Sequence, residues 1–359
     1  MRWGTSLSVV LAGALFGILA ASLSKLGNPP NMGVCVACFL RDIAGALGLH
    51  NAEKVQYMRP EIVGFVLGAY ISAMLFGEFK PRGGSSPLLR FVLGMLLMFG
   101  ALVFLGCPAR MMLRLSAGDM TAVAALVGWI VGVYIGVQFF KAGFSLGAAS
   151  KVYSLNAIVL HLFLVTILLL NLLIPNILRS SISGPGAMHT NWLISLCAGL
   201  LIGSLAQRGR LCFAGGFRDL ILIGDAHLFW GVISFFISAL IINIALGQFN
   251  FGISNQPVAH SAHIWNFAGM MLAGICAVLI GGCPLRQLVL AGEGNSDSAL
   301  TVFGMLFGAA LAHNLKLAAT PDAQGIIGGP SIHGKVALLI AICAVILIAS
   351  ISREKTEQS

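Results

Sequence analysis

The stretch Val103-Phe104-Leu105-Gly106-Cys107-Pro108-Ala109-Arg110 leads from an apolar run into a short polar segment, and its last five positions set a pattern that occurs twice. Gly-Cys-Pro-x-Arg returns as Gly282-Cys283-Pro284-Leu285-Arg286, 176 positions later (283 − 107 = 176). This recurrence indicates an internal duplication that places a thiol at the same point of each copy.

A second pattern, Cys-x5-Arg-Asp, repeats at nearly the same offset. Its copies are Cys35 with Arg41-Asp42 and Cys212 with Arg218-Asp219, 177 positions apart (212 − 35 = 177). The distance between the two cysteines is therefore 72 positions in the first half (107 − 35) and 71 in the second (283 − 212). Two unrelated motifs that keep one spacing favour duplication over coincidence.

The composition predicts a membrane protein. Only 9% of the residues are charged and 58% are hydrophobic, which is too little charge to cover a soluble domain of 359 residues. The net charge of +9 fits basic cytoplasmic loops. Nucleic-acid binding is not indicated, because the arginines are scattered and no basic cluster carries interleaved aromatic residues.

Ten apolar windows are long enough to be membrane spans. They are residues 5–26, 61–79, 88–105, 121–140, 152–174, 191–206, 228–246, 265–281, 299–317 and 335–350. The first is taken as a span because it exceeds the apolar core of a signal peptide. Four shorter segments, 31–50, 107–118, 211–226 and 283–294, each contain a repeated cysteine. Such segments predict an all-α fold whose short re-entrant or broken helices meet at a central path.

Lysine and arginine in the loops predict the orientation. Loops 80–90 and 141–151 are basic and are expected in the cytoplasm, whereas 176–190 and 248–264 are expected outside. Lys25, Lys54 and Arg59 fall on the outer side, against the rule. The two halves then face opposite ways, as an inverted repeat. The predicted units are a first repeat half (1–150), a linker span and outer loop (151–190), a second half (191–317), and a final span with a cytoplasmic tail (318–359).

The Gly-Cys-Pro motif predicts a helix N-terminus. Pro108 and Pro284 suit the first helical position, which puts Cys107 and Cys283 at the N-cap beside free backbone N–H groups that attract anions. Gly106 and Gly282 are expected to let a substrate approach the backbone, and Arg110 and Arg286 to hold an anion or a carboxylate. The alternative is a tight turn with an inert buried cysteine, and the duplication favours a functional role.

The charges and the extra thiol allow further interpretations. Arg41-Asp42 and Arg218-Asp219 are more consistent with ion pairs that stabilise the fold, for example between the motifs of the two halves, than with a direct role. Cys35 and Cys38 form a C-x-x-C, a redox pair or half a metal site, but Gly215 stands at the matching place in the second half and no further ligands complete a zinc set. The polar stretch 292–297, with Glu293, is either a pore mouth or a surface loop.

The chain resembles the YeeE/YedE family of sulfur-transport membrane proteins, in particular the YedE-type branch associated with selenium metabolism. The resemblance is carried by Gly27-Asn28-Pro29-Pro30-Asn31-Met32-Gly33-Val34-Cys35-Val36-Ala37-Cys38-Phe39-Leu40-Arg41-Asp42, Val103-Phe104-Leu105-Gly106-Cys107-Pro108, Leu205-Ala206-Gln207-Arg208-Gly209-Arg210-Leu211-Cys212 and Gly281-Gly282-Cys283-Pro284-Leu285-Arg286-Gln287-Leu288, followed by Ala291-Gly292-Glu293-Gly294.

The resemblance implies a bacterial inner-membrane importer of a thiosulfate-like or selenium-containing anion, passed between thiols in an hourglass-shaped helical protein. It implies pathway roles for Cys35, Cys107 and Cys283, with Cys212 as the repeat mate of Cys35, and a soluble TusA/SirA-type sulfurtransferase as acceptor. No cofactor or metal is expected, and no enzymatic activity. The alternative is a membrane-embedded thiol oxidoreductase or a sulfur- or selenium-transfer subunit that forms persulfides on Cys107 or Cys283.

Overall fold

The computed structural model describes residues 3–174, 176–323 and 325–352. Within them the chain is mostly helical, with one antiparallel pairing of two short strands and one short 3-10 turn at Pro185–Ala187. The helices are α1 Trp3–Lys25, α2 Val36–Ala46, α3 Pro60–Leu75, α4 Pro87–Phe104, α5 Pro108–Ser116, α6 Thr121–Lys141, α7 Ser154–Leu173, α8 Trp192–Arg208, α9 Phe213–Ile223, α10 His227–Ala245, α11 His263–Leu279, α12 Pro284–Gly292, α13 Ser296–Asn314 and α14 Ile332–Ile351. The strands are β1 Arg82–Gly83 and β2 Ser150–Lys151.

The predicted membrane fold is confirmed. Each of the ten predicted spans coincides with one of the helices α1, α3, α4, α6, α7, α8, α10, α11, α13 and α14. Eight stretches of the described chain are helical, long enough and apolar enough to cross a membrane. The helix α3 is a shorter apolar helix of 16 residues. The chain is an all-α, multi-pass membrane protein.

Long helices from the two halves of the chain pack on one another, since α3 contacts α8, α1 contacts α10, α4 contacts α13 and α6 contacts α11. Glycine allows the backbones to meet. A Cβ atom at Gly64 in α3 would lie 2.6 Å from the Leu196 carbonyl oxygen, and one at Gly199 in α8 would lie 2.5 Å from that of Glu61. Such close approach is a usual source of helix association in lipid, where dispersion contacts replace the hydrophobic effect.

The loops gather on two opposite faces of the helical layer. We call face A the surface of loops 76–86, 142–153 and 293–295. There β1 pairs with β2, and the Lys80 N–H donates to the Glu293 carbonyl at 2.9 Å. We call face B the surface of loops 47–59, 176–191, 247–262 and 315–331. There the Gly186 N–H donates to the Lys54 carbonyl, and the Asp322 N–H to that of Ala259, both at 2.8 Å.

This grouping places the two loops predicted to be cytoplasmic together on face A, and the two predicted to be outside together on face B. The assignment of face A to the cytoplasm and the inverted internal repeat stay predictions. Arg59 does not count as a loop charge, because its side chain is fully buried in an ion pair. One of the three charges that opposed the predicted orientation is thereby removed.

The four short helices run from the protein interior to these faces. The Ala46 carbonyl at the end of α2 accepts the N–H of Arg179, and the Gly118 carbonyl after α5 accepts that of Gly252, so both helices end at face B. The helix α12 ends at Glu293 on face A. The helix α9 also ends there, since α10 follows it and leads across to loop 247–262 on face B. Their N-terminal ends therefore point into the interior from opposite faces.

Candidate functional site

The first pair of repeated cysteines meets at the N-termini of α2 and α5. Cys35 is the N-cap of α2 and Cys107 the N-cap of α5, both with extended backbone. Their Sγ atoms lie 3.8 Å apart, and the Cys107 N–H donates to the Sγ of Cys35 at 3.5 Å. Both side chains are buried. Residues 72 positions apart in the sequence thus form one thiol pair.

The second pair has the same arrangement. Cys212 is the N-cap of α9 and Cys283 the N-cap of α12, and their Sγ atoms also lie 3.8 Å apart. Within the part of the chain that the structure describes, no sulfur–sulfur contact joins this pair to the first. The predicted thiols therefore occupy two pairs, with the Cys35–Cys107 pair on the side of face B and the Cys212–Cys283 pair on the side of face A.

The N-cap prediction for the Gly-Cys-Pro motif is met at both copies, since Pro108 and Pro284 occupy the first helical position. The predicted role of the glycines, close approach of a substrate to the backbone, stays a prediction. A Cβ at Gly106 would lie 2.9 Å from Cδ of Arg110, and one at Gly282 would lie 2.9 Å from Cγ of Arg286. The arginine stem fills the space beside each glycine, so the absence of a side chain there makes room for the arginine.

Cys38 is a third thiol at the first pair. Its Sγ lies 2.8 Å from the Sγ of Cys35, and its backbone N–H caps the same sulfur at 3.3 Å. The Cys38 thiol also donates to the carbonyl oxygen of Leu105 at 3.6 Å. Leu105 itself has a left-handed backbone (φ 64°), a conformation that is costly for a side chain of this size. The strained turn at the end of α4 directs its carbonyl towards Cys38 and Arg110.

Arg110 closes the site on the side of face B. Its guanidinium donates to three carbonyl oxygens, those of Asn31 at 3.0 Å, Val258 at 3.1 Å and Leu105, and to the Sγ of Cys38 at 3.8 Å. The side chain is fully buried. Arg110 therefore ties the loops around the first thiol pair together and brings a positive charge to the Cys38 sulfur.

The first Arg-Asp motif forms a buried charge cluster. Arg41 and Asp42 pair at 2.7 Å, and Arg59 pairs with the other carboxylate oxygen at 2.8 Å. The Asp42 side chain is fully buried, so two cations share one anion away from water. The Arg41 carbonyl also contacts His50 Nε2 at 3.0 Å, and burial lowers the pKa of this histidine. The ion pair lies within one half of the chain and not between the halves.

The second Arg-Asp motif and the second Gly-Cys-Pro arginine also form ion pairs. Arg218 and Asp219 pair at 2.8 Å, but their side chains are 25% and 20% exposed, so water screens them. Arg286 holds the Glu293 carboxylate at 3.2 Å, as the carboxylate alternative for this arginine predicts. Glu293 also contacts Arg82 at 3.5 Å on face A.

The polar stretch 292–297 is not a surface loop, whereas its role at a pore mouth stays a prediction. Its Asp297 is buried, where it accepts hydrogen bonds from the Ser85 hydroxyl at 2.5 Å and the Gly84 N–H at 2.7 Å. Asn295 caps α13 by accepting the N–H of Asp297 at 3.0 Å. The stretch is a buried joint between α12, α13 and the β1 loop.

Face B contains a basic cavity of about 760 Å³ that extends as far as Leu105, beside the first thiol pair. Of the described residues that line it, the cations are Arg41, Lys54, Lys316 and Lys335, and the carboxylate is Glu53. Leu105, whose carbonyl contacts the Cys38 thiol, forms part of its wall. The cavity therefore offers a positively charged approach to the thiols from face B.

The loop 315–331 that forms one side of the cavity is held by Asp322. Its carboxylate accepts the Ser261 hydroxyl at 2.5 Å and the Gly328 N–H at 2.7 Å. Burial opposes ionisation of this carboxyl, but the hydrogen bonds from Ser261 and Gly328 outweigh it and lower its pKa. Asp322 is therefore charged at neutral pH and fixes the loop to residues 259–261.

Sequence reasoning missed several buried charges near the site. Arg59 was counted as a loop charge, and the pair of Arg114 with Asp119, at 2.6 Å and fully buried, was not singled out. The rule that a charge within the membrane faces the protein interior and finds a partner would have indicated both. Among the described residues, no cluster of three histidine, cysteine, aspartate or glutamate side chains is placed to hold a metal ion.

Comparison with known proteins identifies the family. Residues 208–358, which include the second thiol pair, match the family described as sulphur transport. The match covers less than half of the chain and supports membership in the sulphur-transport family. The predicted YeeE/YedE membership is thereby confirmed, whereas the YedE-type, selenium-associated branch stays a prediction.

Two curated proteins are similar to part of the chain. The thiosulfate transporter TsuA of Escherichia coli (strain K12) is 29% identical over 116 residues, which are 32% of this chain and 32% of that protein. The thiosulfate transporter TsuA of Spirochaeta thermophila is 32% identical over 99 residues, 28% of this chain and 29% of that protein. The match thus spans about a third of the length of each of these relatives.

Proposed function

We propose that the protein is a membrane transporter that carries a small sulfur-containing anion from face B to face A. The anion passes the Cys35–Cys107 pair first and the Cys212–Cys283 pair second. The observation that carries the proposal is the matched placement of these pairs. In each, two buried thiols cap two short helices and lie 3.8 Å apart. An inert structural cysteine has no need of this arrangement, and it occurs twice.

The physical basis is the cost of an anion in lipid. Helix N-termini provide N–H groups and the positive end of the helix dipole without adding a full charge. The thiols add soft sulfur contacts that suit a sulfur or selenium end of the cargo. Several weak contacts in succession allow the anion to leave each pair as well as to reach it.

The cavity on face B supports entry from that side. The four cations that line the cavity outnumber its one carboxylate. The excess positive charge raises the local concentration of anions. In the predicted orientation face B is the outer side of a bacterial inner membrane, and the transport is import. A soluble sulfurtransferase of the TusA/SirA type then receives the cargo at face A.

The cargo we propose is thiosulfate or an anion of similar size and charge, including selenium oxyanions. Both relatives are thiosulfate transporters, which supports thiosulfate, and the resemblance to the YedE-type branch supports a selenium species. The proposal is for transport without chemical conversion. The alternative, an oxidoreductase or transfer subunit, requires a covalent persulfide on Cys107 or Cys283.

Uptake of radiolabelled thiosulfate into liposomes that contain the purified protein tests the proposal, with unlabelled selenite as competitor. We expect uptake above that of protein-free liposomes, without a soluble partner, and inhibition by selenite if both anions share the path. Absence of uptake, together with a persulfide found on Cys107 or Cys283 by mass spectrometry, would favour the enzyme instead.

A further inference from the structure

The sulfur atoms of Cys35 and Cys38 form the closest pair of thiols in the described part of the chain, at 2.8 Å. Both residues lie on the first turn of α2, at the N-cap and three positions later. This is the C-x-x-C arrangement in which two cysteines can bond without movement of the surrounding helices. The proposed transport path uses Cys35 and leaves the contribution of Cys38 unexplained.

The second half of the protein shows that the cap itself does not need the extra thiol. Gly215 occupies the place that corresponds to Cys38, and its N–H donates to the Cys212 sulfur at 3.2 Å. The Cys38 N–H donates to Cys35 at nearly the same distance, 3.3 Å. The capping hydrogen bond is therefore equivalent in the two halves, and the Cys38 thiol is an addition to the first half alone.

The two neighbours of Cys35 compete for its sulfur. Cys107 lies 3.8 Å away and belongs to the proposed path, whereas Cys38 lies 2.8 Å away in the first turn of the same helix. A bond between Cys35 and Cys38 would remove the hydrogens of both thiols and leave the first pair without the free thiol of Cys35. Cys107 would then lack its partner, while the Cys212–Cys283 pair would be unaffected.

We propose that Cys35 and Cys38 are a redox modification site, a reversible disulfide that interrupts transport at the first thiol pair. The gating part of this inference rests on the proposed function, and the disulfide itself does not. Burial disfavours the Cys38 thiolate that such chemistry needs, and the Arg110 guanidinium, 3.8 Å from the Cys38 sulfur, offsets part of that cost. The basic cavity leads small reagents from face B to Leu105, whose carbonyl contacts Cys38.

The oxidant that we propose is a hydroperoxide. The Cys38 thiolate attacks the peroxide, the O–O bond breaks, and a sulfenic acid forms with release of water or an alcohol. The Cys35 thiolate then attacks this sulfur, the S–O bond breaks, and a second oxygen leaves as water. Two thiols are oxidised and one peroxide is reduced. A small dithiol reverses the reaction by two exchange steps and leaves as its own disulfide.

The test uses the full chain in liposomes with Cys197→Ser and Cys343→Ser, which remove the two exposed cysteines and keep the buried ones. The protein is treated with hydrogen peroxide, the peroxide is removed with catalase, and free thiols are alkylated. Peptide mapping then locates the disulfide. Uptake of radiolabelled thiosulfate is measured before treatment, after it, and after reduction with dithiothreitol.

We expect a Cys35–Cys38 disulfide, uptake reduced to that of protein-free liposomes, and recovery with dithiothreitol. The matched variant Cys38→Ser is compared with its own untreated uptake, and we expect peroxide to leave that ratio near one. Cys276→Ser, which removes a buried thiol outside both pairs, should remain as sensitive as the parent protein.

Three results would overturn the inference: no disulfide, a disulfide between Cys35 and Cys107 instead, or a Cys35–Cys38 disulfide with unchanged uptake. A failure of the proposed function gives a different result, in which the reduced protein shows no uptake at all. Peptide mapping still decides in that case whether Cys35 and Cys38 are the modification site.

Discussion

The thiol of Cys283 lies 3.8 Å from that of Cys212, the same separation that the structure shows between Cys107 and Cys35. In both pairs a cysteine followed by proline meets a cysteine from an Arg-Asp motif. Each pair is buried at the ends of two short helices. The equivalence of the two pairs leads to the first prediction.

Replacement of either Gly-Cys-Pro cysteine should slow transport by a similar factor. For Cys107→Ser and Cys283→Ser we expect uptake rates about tenfold lower, which corresponds to about 1.4 kcal/mol of barrier, because each removes one soft contact and keeps the helix cap. Initial rates of thiosulfate uptake measure the effect. Cys343→Ser is the control, since this thiol is exposed on α14. Full activity in both single variants would contradict a role for the pairs.

Loss of the Asp42 charge should destabilise the protein strongly. Asp42→Asn leaves Arg41 and Arg59 buried without their anion, and we expect a loss of about 3–5 kcal/mol of stability. The matched change Asp219→Asn breaks a partly exposed pair and should cost less than about 1 kcal/mol. Thermal unfolding in detergent compares the two. Equal melting temperatures would show that the Asp42 cluster has no special role in stability.

The contact between α3 and α8 should not tolerate a side chain at Gly64. Its Cβ would lie 2.6 Å from the Leu196 carbonyl, so Gly64→Ala must separate the helices, at a cost of about 1–3 kcal/mol. Leu201→Ala, on the exposed side of α8, should change stability by less than about 0.5 kcal/mol. The melting temperatures of both variants in detergent provide the measurement. A Gly64→Ala protein as stable as the parent would refute this packing.

Neutral replacements in the cavity on face B should weaken capture of the anion. For the double variant Lys54→Gln/Lys316→Gln we expect the thiosulfate concentration at half-maximal uptake to rise about threefold, with the maximal rate kept. The effect should shrink at high salt, which screens exposed charges. Lys151→Gln on face A is the control. An unchanged half-maximal concentration would mean that the anion does not enter the protein through this cavity.

The loop beside the cavity should loosen in acid. The pKa of Asp322 is lowered in the folded protein, so its stabilisation is complete above the ordinary aspartate pKa and is lost as the pH falls through the lowered value. We expect amide exchange at Gly328, corrected for the intrinsic effect of pH, to increase over that interval. Asp322→Asn should show fast exchange with no such transition. A transition that persists in this variant would assign it to another group.

Local features of the site could be predicted from the sequence. Pro108 and Pro284 determine a helix start by their own geometry, so the N-cap positions of Cys107 and Cys283 follow without tertiary information. The spans can be predicted in the same way from long apolar windows, because a chain segment in lipid must satisfy its own backbone hydrogen bonds and therefore forms a helix.

Contacts between distant residues could not be predicted. Arg59 looked like a loop charge, because its burial depends on Asp42, which is 17 positions away and reaches it only in the folded protein. The close contact of Gly106 and Gly282 with arginine stems could not be predicted, since nothing in the sequence reveals where such a stem turns. The burial of the polar stretch around Asp297 could not be foreseen either, because its hydrogen-bond partners are more than 200 positions distant in the sequence.

The most direct test of the proposed path is thiosulfate uptake by the double variant Cys107→Ser/Cys283→Ser, measured in liposomes beside the parent protein. The parent should take up the labelled anion without a partner. The double variant, with one thiol removed from each pair, should fall to the level of protein-free liposomes while it keeps the parent's melting temperature. Uptake by this folded double variant at the parent rate would contradict the account.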